Sequence, residues 1–227
     1  MTPQLHLIAG PNGSGKTSLY QDNIGPRLPE LPFVNADAIQ AQAKRDGEAI
    51  DSYEAARRAT QQRDQCLAAG RSLVTETVFS HPLKLAWLQK AVNSGFNVYL
   101  YHVHVVDPLI SKGRVAYRVT QGGHDVPDDK IIQRYHRCLP LIAEASRLAR
   151  VTFVYDNSGI DTPHALVLTL HSGRTIIHDP YVLNAKPELP GFIPIPEWIA
   201  EAYAHSLIGV AISSDQADTS ASEPPVS

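Results

Sequence analysis

The sequence has little cysteine, no long apolar run and no strong excess of one charge. Its two cysteines, Cys66 and Cys138, lie far apart without a C-x-x-C pair, which excludes a zinc ribbon and a disulfide-stapled scaffold. A net charge of -3 gives no uniform positive field for nucleic acid. The first residues lack a secretory signal, and no window reaches the roughly 20 apolar residues that a membrane-spanning helix needs. We therefore expect a cytoplasmic protein that binds neither nucleic acid nor membrane.

Short apolar strands alternate with helical segments along the chain. Strands are predicted at 4–9, 33–34, 72–78, 97–106 and 151–155, and helices at 16–21, 54–69, 82–94, 108–121 and 128–150. Because parallel strands need crossover helices, this order predicts a three-layer α/β fold with a mostly parallel central sheet.

The end of the chain has a different character. Residues 165–170 and 174–178, joined at Ser172 and Gly173, predict a C-terminal β-hairpin added to the sheet. Residues 213–227 are rich in Ser, Asp, Ala, Thr and Pro and offer little to bury. We expect one domain over residues 1–212 and a disordered tail over 213–227.

Residues 10–17 carry the clearest functional pattern. Gly10-Pro-Asn-Gly-Ser-Gly-Lys-Thr17 satisfies G-x-x-x-x-G-K-[ST] between an apolar strand and a helix start. In such a P-loop the backbone N–H groups converge on phosphate oxygens, the lysine reaches the β- and γ-phosphates, and the hydroxyl of Thr17 ligates magnesium. The alternative is a plain glycine-rich turn with a solvated lysine. The motif predicts ATP and Mg²⁺ as cofactors, with nucleotide contacts from Gly10, Pro11, Asn12, Gly13, Ser14, Gly15, Lys16, Thr17 and Ser18.

Two carboxylates follow predicted strands. Asp37 is expected at the carboxyl end of the strand after the P-loop helix, where a catalytic base or a magnesium-water ligand would face the γ-phosphate. The alternative is a turn residue or the N-cap of the next helix. Glu76 ends the following strand and is a candidate Walker-B-like magnesium group, with a salt bridge or helix cap as the alternative.

Four arginines bracket the loop 122–127: Arg114, Arg118, Arg134 and Arg137. Phosphoryl transfer needs guanidinium groups to neutralise charge on the phosphates, and a helix-loop-helix lid would deliver them. Arginines on a solvated helix face are the alternative, chiefly for Arg114 and Arg137. His102 and His104 alternate on one strand face, and we interpret them as a sheet pair because no third metal ligand occurs at suitable spacing.

Three segments beside the P-loop carry a family resemblance: Phe33-Val-Asn-Ala-Asp37, Thr75-Glu-Thr-Val-Phe-Ser80 and Arg118-Val-Thr-Gln-Gly-Gly-His-Asp-Val-Pro127. With them, residues 4–157 resemble the zeta toxin family of small-molecule kinases. The resemblance implies a core like that of shikimate and adenylate kinases, and phosphorylation of a hydroxyl of a UDP-activated amino sugar such as UDP-N-acetylglucosamine. It also implies an antitoxin partner protein.

The resemblance assigns roles to particular residues. Asp37 looks like the catalytic base, acting with Lys16, and Arg118 and Arg134 look like the groups that stabilise the transition state. Substrate-binding residues by this resemblance are Asn35, Glu76 and Thr77. The segment 155–158 follows the last parallel strand, where related kinases contact adenine, and a simple loop is the alternative.

These observations predict an ATP-dependent kinase that phosphorylates a small-molecule hydroxyl, with a nucleotide sugar as the expected acceptor. The alternatives are a kinase for another nucleotide or metabolite and a P-loop regulatory ATPase. An ABC ATPase is disfavoured because no Leu-Ser-Gly-Gly-Gln-like signature occurs in the sequence.

Overall fold

The strands form one mixed sheet in a computed structural model that describes residues 2–123, 125–160, 163–171, 174–177 and 197–207. They are β1 (Gln4–Ala9), β2 (Phe33–Val34), β3 (Leu73–Thr77), β4 (Asn97–His104), β5 (Val151–Asp156), β6 (Ala165–His171) and β7 (Arg174–Ile177). Their order is β2-β3-β1-β4-β5-β6-β7. The first five strands pair in parallel and the last two antiparallel, which confirms the α/β fold with a mostly parallel sheet.

The β6 and β7 pairing agrees with the predicted hairpin. Its turn at Ser172 and Gly173, the last predicted hairpin residue His178 and the predicted tail 213–227 lie outside the described residues. Residue His124 of the predicted loop 122–127 also lies outside them.

Seven helices accompany these strands within the described residues: α1 (Lys16–Leu19), α2 (Ala36–Arg45), α3 (Ser52–Ala68), α4 (Pro82–Asn93), α5 (Pro108–Thr120), α6 (Asp128–Ser146) and α7 (Glu197–Leu207). Helix α1 is shorter than the predicted 16–21 because the chain passes into a π-helical turn at Tyr20–Ile24 and then a 3-10 turn at Gly25–Arg27. Pro26 lacks the N–H that an α-helix would use there. The sequence did not predict α2 or α7, and α2 offers little apolar signal because it buries only Ala43. No described helix is long and apolar enough to cross a membrane.

The central strands are buried on both sides, as parallel sheets are. Leu5 and Leu7 of β1 pack on the face that carries α3, α4 and α6, and Ile8 packs on the face of α1 and the turns after it. Because β1 to β5 run parallel, their carboxyl ends lie at one edge of the sheet, and the loops that follow them meet there. This edge positions the candidate site.

His102 and His104 lie side by side in the core, on the face of β4 that contacts α6 and α7. Their ring centroids are 5.4 Å apart. His102 Nδ1 shares a hydrogen bond of 2.7 Å with the hydroxyl of Tyr203, whereas His102 Nε2 and both nitrogens of His104 have no partner among the described residues. Those residues also contain no group of three or more His, Cys, Asp and Glu that could hold a metal ion. The two histidines thus share one face of the sheet as expected, but among the described residues only one of their four nitrogens is hydrogen bonded.

The buried imidazole of His104 makes the fold sensitive to acid. Burial lowers its pKa to about 4 from an ordinary value of 6.5. Between these values the unfolded chain binds more protons at this residue than the folded chain does, so stability falls as the pH falls through that window. At pH 5 the cost is about 2 kcal/mol, because each pKa unit corresponds to about 1.4 kcal/mol.

His104→Phe is expected to remove this cost, because the new ring has a similar size and the two nitrogens that are lost have no partner in the part of the chain that the structure describes. Denaturant unfolding of both proteins at pH 7.5 and pH 5 measures it. The free energy of unfolding of the wild type should fall by about 2 kcal/mol more than that of the variant. An equal fall in both proteins would contradict the assignment.

Candidate functional site

The P-loop, residues 10–17, connects β1 to α1 at the carboxyl edge of the sheet. Gly13 has a positive φ of 70°, which glycine adopts without steric cost. A Cβ atom at Gly10 would lie 2.1 Å from the carbonyl oxygen of Val103, and one at Gly13 would lie 2.4 Å from that of Ser111. The loop therefore packs directly against the end of β4 and the beginning of α5, too closely for a side chain at either position.

Lys16 is buried within this loop. Its side chain is 6% exposed, and Nζ donates a hydrogen bond of 2.7 Å to the carbonyl oxygen of Pro11. Burial lowers the pKa of Lys16, and the negative charge of Glu76 opposes that shift. The hydroxyl of Ser14 is also buried and has no hydrogen-bond partner among the described residues. A buried cation needs a negative charge nearby, and a buried hydroxyl needs a hydrogen-bond partner. The phosphate oxygens of a bound triphosphate would supply both.

Glu76 joins the P-loop to the beginning of α2. The hydroxyl of Thr17 donates to its two carboxylate oxygens at 3.1 and 3.0 Å, and Asn35 Nδ2 donates to Oε2 at 2.9 Å. Burial raises the pKa of Glu76, and the positive charge of Lys16 opposes that shift. Hydroxyl and carboxylate oxygens side by side are the ligand type that magnesium prefers, so this pair fits the ion that accompanies ATP.

Asp37 does not lie at the end of a strand, as the sequence had suggested. Strand β2 ends at Val34, and Asp37 lies in the first turn of α2, where Asn35 is the N-cap and accepts a hydrogen bond of 2.9 Å from the amide of Ala38. The short strand ends early because the polar cap begins a helix at once. The side chain of Asp37 is 68% exposed, and its Oδ2 lies 4.0 Å from Nη1 of Arg118. A ligand could therefore reach this carboxylate.

The charged groups around the P-loop influence one another's pKa values. Burial is the largest cause of the pKa shifts of Lys16 and Glu76. The negative charge of Asp37 raises the pKa of both groups. The positive charge of Arg118 lowers the pKa of Lys16. The predicted catalytic residues Lys16, Asp37 and Arg118 therefore share one electrostatic neighbourhood.

Helices α5 and α6 bring the two predicted arginines to this site. Arg118 of α5 reaches Asp37, and Arg134 of α6 donates a hydrogen bond of 3.3 Å from Nη1 to Oδ1 of Asn12 in the P-loop. Arg137 is exposed, which agrees with a solvated helix face, and Arg114 has a buried Nη1 atom without a hydrogen-bond partner among the described residues. Arg118 and Arg134 therefore lie beside the P-loop, and their role in catalysis stays a prediction.

Two predicted contact residues lie at the margin of the cluster. The half-buried Thr77 makes a long hydrogen bond of 3.5 Å to the carbonyl oxygen of Val78, and Ser18 is exposed at the beginning of α1. Among the described residues neither side chain hydrogen bonds to Glu76, as Thr17 and Asn35 do. Their roles, like those of the other predicted site residues, stay predictions.

The structure adds contacts that the sequence did not indicate, including one from Asn157, which belongs to the segment 155–158 where an adenine contact was expected. Cys138 of α6 is fully buried; burial raises its pKa to about 12, and the nearby charges of Lys16 and Arg134 oppose that shift. Asn157 and His164 contact the P-loop backbone, at Ser14 and Gly15 respectively. No local motif could reveal these contacts, because each joins residues that are distant along the chain.

Comparison with known proteins identifies the family and the fold. Residues 5–141 match the family model described as AAA domain. A chain from the AvrRxo1-ORF1:-ORF2 complex with ATP has a TM-score of 0.63 at 17% identity, over 85% of this chain and 66% of that chain. The protein thus spans just under two thirds of that relative.

Two further structures extend the comparison. A candidate kinase from Chloroflexus aurantiacus gives a TM-score of 0.54 at 21% identity, over 71% of this chain and 92% of that chain. A chain from the PezAT toxin-antitoxin system of Streptococcus pneumoniae gives 0.47 at 17% identity, over 68% of each chain, a likeness too low to carry an argument. No curated protein matches this sequence. Identities at this level show the fold alone, which is that of P-loop kinases.

Proposed function

Because this chain belongs to the AAA domain family and has a P-loop kinase-like fold, we propose that it is an ATP-dependent kinase acting on a hydroxyl of a small molecule. The observation that carries this proposal is the approach of Arg118 to Asp37, 4.0 Å between Nη1 and Oδ2, beside the P-loop. An acceptor hydroxyl needs a carboxylate to take its proton, and a moving phosphoryl group needs a guanidinium to neutralise its charge.

The nucleotide side of the reaction belongs to the P-loop. ATP supplies the phosphoryl group, and Mg²⁺ neutralises charge on its oxygens. Lys16 would bind the β- and γ-phosphates, and Thr17 with Glu76 would hold the magnesium ion and its waters. The hydrogen bond from Thr17 to Glu76 supports this magnesium role for Glu76 beside the substrate role that the zeta resemblance implies.

The acceptor side belongs to α2, α5 and α6. Asp37 would accept the hydroxyl proton, and its exposure leaves room for an acceptor to approach. Arg118 and Arg134 would stabilise the charge that develops on the transferred group. Asn35, Glu76 and Thr77 are the acceptor contacts that we propose.

We propose a UDP-activated amino sugar as the acceptor, on the basis of the motif resemblance to zeta toxins. The same site could serve another nucleotide or metabolite, including the adenosine part of a dinucleotide, or a regulatory ATPase. A protein partner that neutralises the enzyme, as an antitoxin does, is part of the proposal, and the AvrRxo1 relative is itself a complex of two components.

A transfer assay with ATP labelled at the γ-phosphate separates these alternatives. The full chain is incubated with Mg²⁺, labelled ATP and a panel of UDP-amino sugars, other nucleotides, dinucleotides and sugar alcohols. We expect label on the UDP-amino sugar, one phosphorylated acceptor for each ADP formed, at a turnover of about 1–100 per second. ADP formation that no acceptor changes and a protein partner stimulates would support the regulatory ATPase instead.

A further inference from the structure

The connection between β5 and β6 lies against the P-loop, far from it in sequence. Asn157 Nδ2 donates a hydrogen bond of 2.8 Å to the carbonyl oxygen of Ser14. His164 Nε2 lies 2.9 Å from the carbonyl oxygen of Gly15. Because a carbonyl oxygen can only accept, His164 must carry its proton on Nε2. Two consecutive carbonyl groups of the P-loop are therefore held by side chains of one connection.

The sheet places these two side chains together. Asp156 pairs with Ala165 at the last position of the β5 and β6 ladder, so Asn157 and His164 directly follow and precede that pair. The amide of His164 donates a hydrogen bond of 3.0 Å to Oδ1 of Asn157, so the two residues at the ends of the connection are bonded to each other. His164 has a positive φ of 53°, an unfavourable conformation for a residue with a side chain. Its hydrogen bonds to Asn157 and Gly15 stabilise this conformation.

Gly15 fits tightly beneath the two side chains. A Cβ atom there would lie 2.2 Å from Nδ2 of Asn157 and 3.0 Å from Nε2 of His164. The glycine thus allows both side chains to reach the backbone. The carbonyl oxygen of Gly15 also accepts the helical hydrogen bond of Leu19 at 3.0 Å, so His164 uses its second lone pair.

The orientation of a carbonyl group determines the orientation of the amide that follows it. A trans peptide is planar, and its C=O and N–H point in opposite directions. Fixing the carbonyl of Ser14 therefore fixes the N–H of Gly15, and fixing the carbonyl of Gly15 fixes the N–H of Lys16. Both N–H groups then point away from Asn157 and His164, and a phosphate in a P-loop binds to such N–H groups.

We propose that Asn157 and His164 are positioning residues that orient the N–H groups of Gly15 and Lys16 toward the phosphates of the bound nucleotide. This inference rests on the proposed ATP-binding function and deepens it. It also gives the C-terminal hairpin a role, because β6 begins at the residue after His164 and holds it in place. The two residues act through the backbone and do not touch the reacting atoms.

Titration of Mg²⁺-ATP into the full chain tests the proposal, with Asn157→Ala and His164→Ala as the variants. Each should raise the Kd for ATP about tenfold, the loss that one well-placed hydrogen bond typically produces. KM for ATP should rise by a similar factor while KM for the acceptor stays unchanged. His164→Gln keeps an N–H donor and should bind ATP within about threefold of the wild type.

Asn93→Ala is the matched control, because it removes the same amide side chain at an exposed position at the end of α4, where Oδ1 of Asn93 accepts a hydrogen bond of 2.9 Å from Nε2 of Gln89. Amide hydrogen exchange of Gly15 and Lys16 should become faster in the two alanine variants alone. Unchanged ATP binding in those variants would overturn the positioning role and leave the proposed function intact. Equal loss in Asn93→Ala or in His164→Gln would show a general disturbance of the protein or of the connection and would also overturn it. Failure of the wild type to bind Mg²⁺-ATP would overturn the proposed function, and this inference with it.

Discussion

Replacing Asp37 with asparagine is expected to lower kcat by about 10²- to 10⁴-fold, the usual contribution of a general base. Asparagine has nearly the same shape but does not accept a proton from a hydroxyl. The carboxylate lies at an exposed position beside Arg118, so the substitution leaves no buried group unpaired. The loss should therefore appear in the chemical step, while the Kd for ATP stays within about twofold because the P-loop residues are unchanged. Single-turnover kinetics with labelled ATP and saturating acceptor measures it.

Asp46→Asn provides the control for this experiment. Asp46 is an exposed aspartate at the other end of the same helix and accepts hydrogen bonds from Gln42. Its replacement should change kcat by less than about twofold, as for a surface position. A full rate in Asp37→Asn would show that the base lies elsewhere, and equal loss in both variants would point to damage to α2.

Lys16→Met is expected to lower kcat/KM for ATP by about 10²- to 10³-fold, the cost of removing one electrostatic contact to the reacting groups. Methionine fills much of the same volume without charge. Burial already disfavours the ammonium group in the free protein, as its lowered pKa indicates. Removing the charge ends this cost but also takes away the counter-charge of the partly buried Glu76 and the hydrogen bond to Pro11, so Tm should change little compared with the loss of activity.

Lys112→Met is the matched control, because Lys112 pairs with Asp128 on the surface at 2.7 Å, with 46% of its side chain exposed. This variant should keep kcat/KM within about twofold, since surface ion pairs contribute little. Thermal unfolding and steady-state kinetics of the three proteins test both predictions. A fall in Tm of Lys16→Met that matched its loss of activity would assign the loss to unfolding.

The P-loop could be predicted from sequence because its function depends on a short contiguous stretch. Glycines at fixed positions, a lysine and a hydroxyl determine the local shape and chemistry, and the strand before and the helix after are both visible as patterns. The position of Asp37 could not be predicted to the same accuracy. A cap at Asn35 begins α2 immediately after a strand of two residues, and the sequence analysis did not predict this helix.

The partners within the site depended on register and packing. Glu76 meets Thr17 because β3 pairs with β1 so that Glu76 lies opposite Ile8, just before the P-loop. Arg134 meets Asn12 because α6 packs over the sheet beside α5. These pairs are separated by 59 and 122 positions, so no local pattern relates one partner to the other.

By itself the sequence determined the alternation of strands and helices, the phosphate loop and the identity of the charged residues available for chemistry. These properties depend on backbone preferences and side-chain types within a few neighbouring residues. Only the tertiary structure decided that Asp37 faces Arg118, that Glu76 binds Thr17, and that Asn157 and His164 hold the P-loop carbonyls. Each of those contacts depends on which strands are neighbours. The order of the strands depends in turn on how the apolar side chains of all strands and helices are buried together.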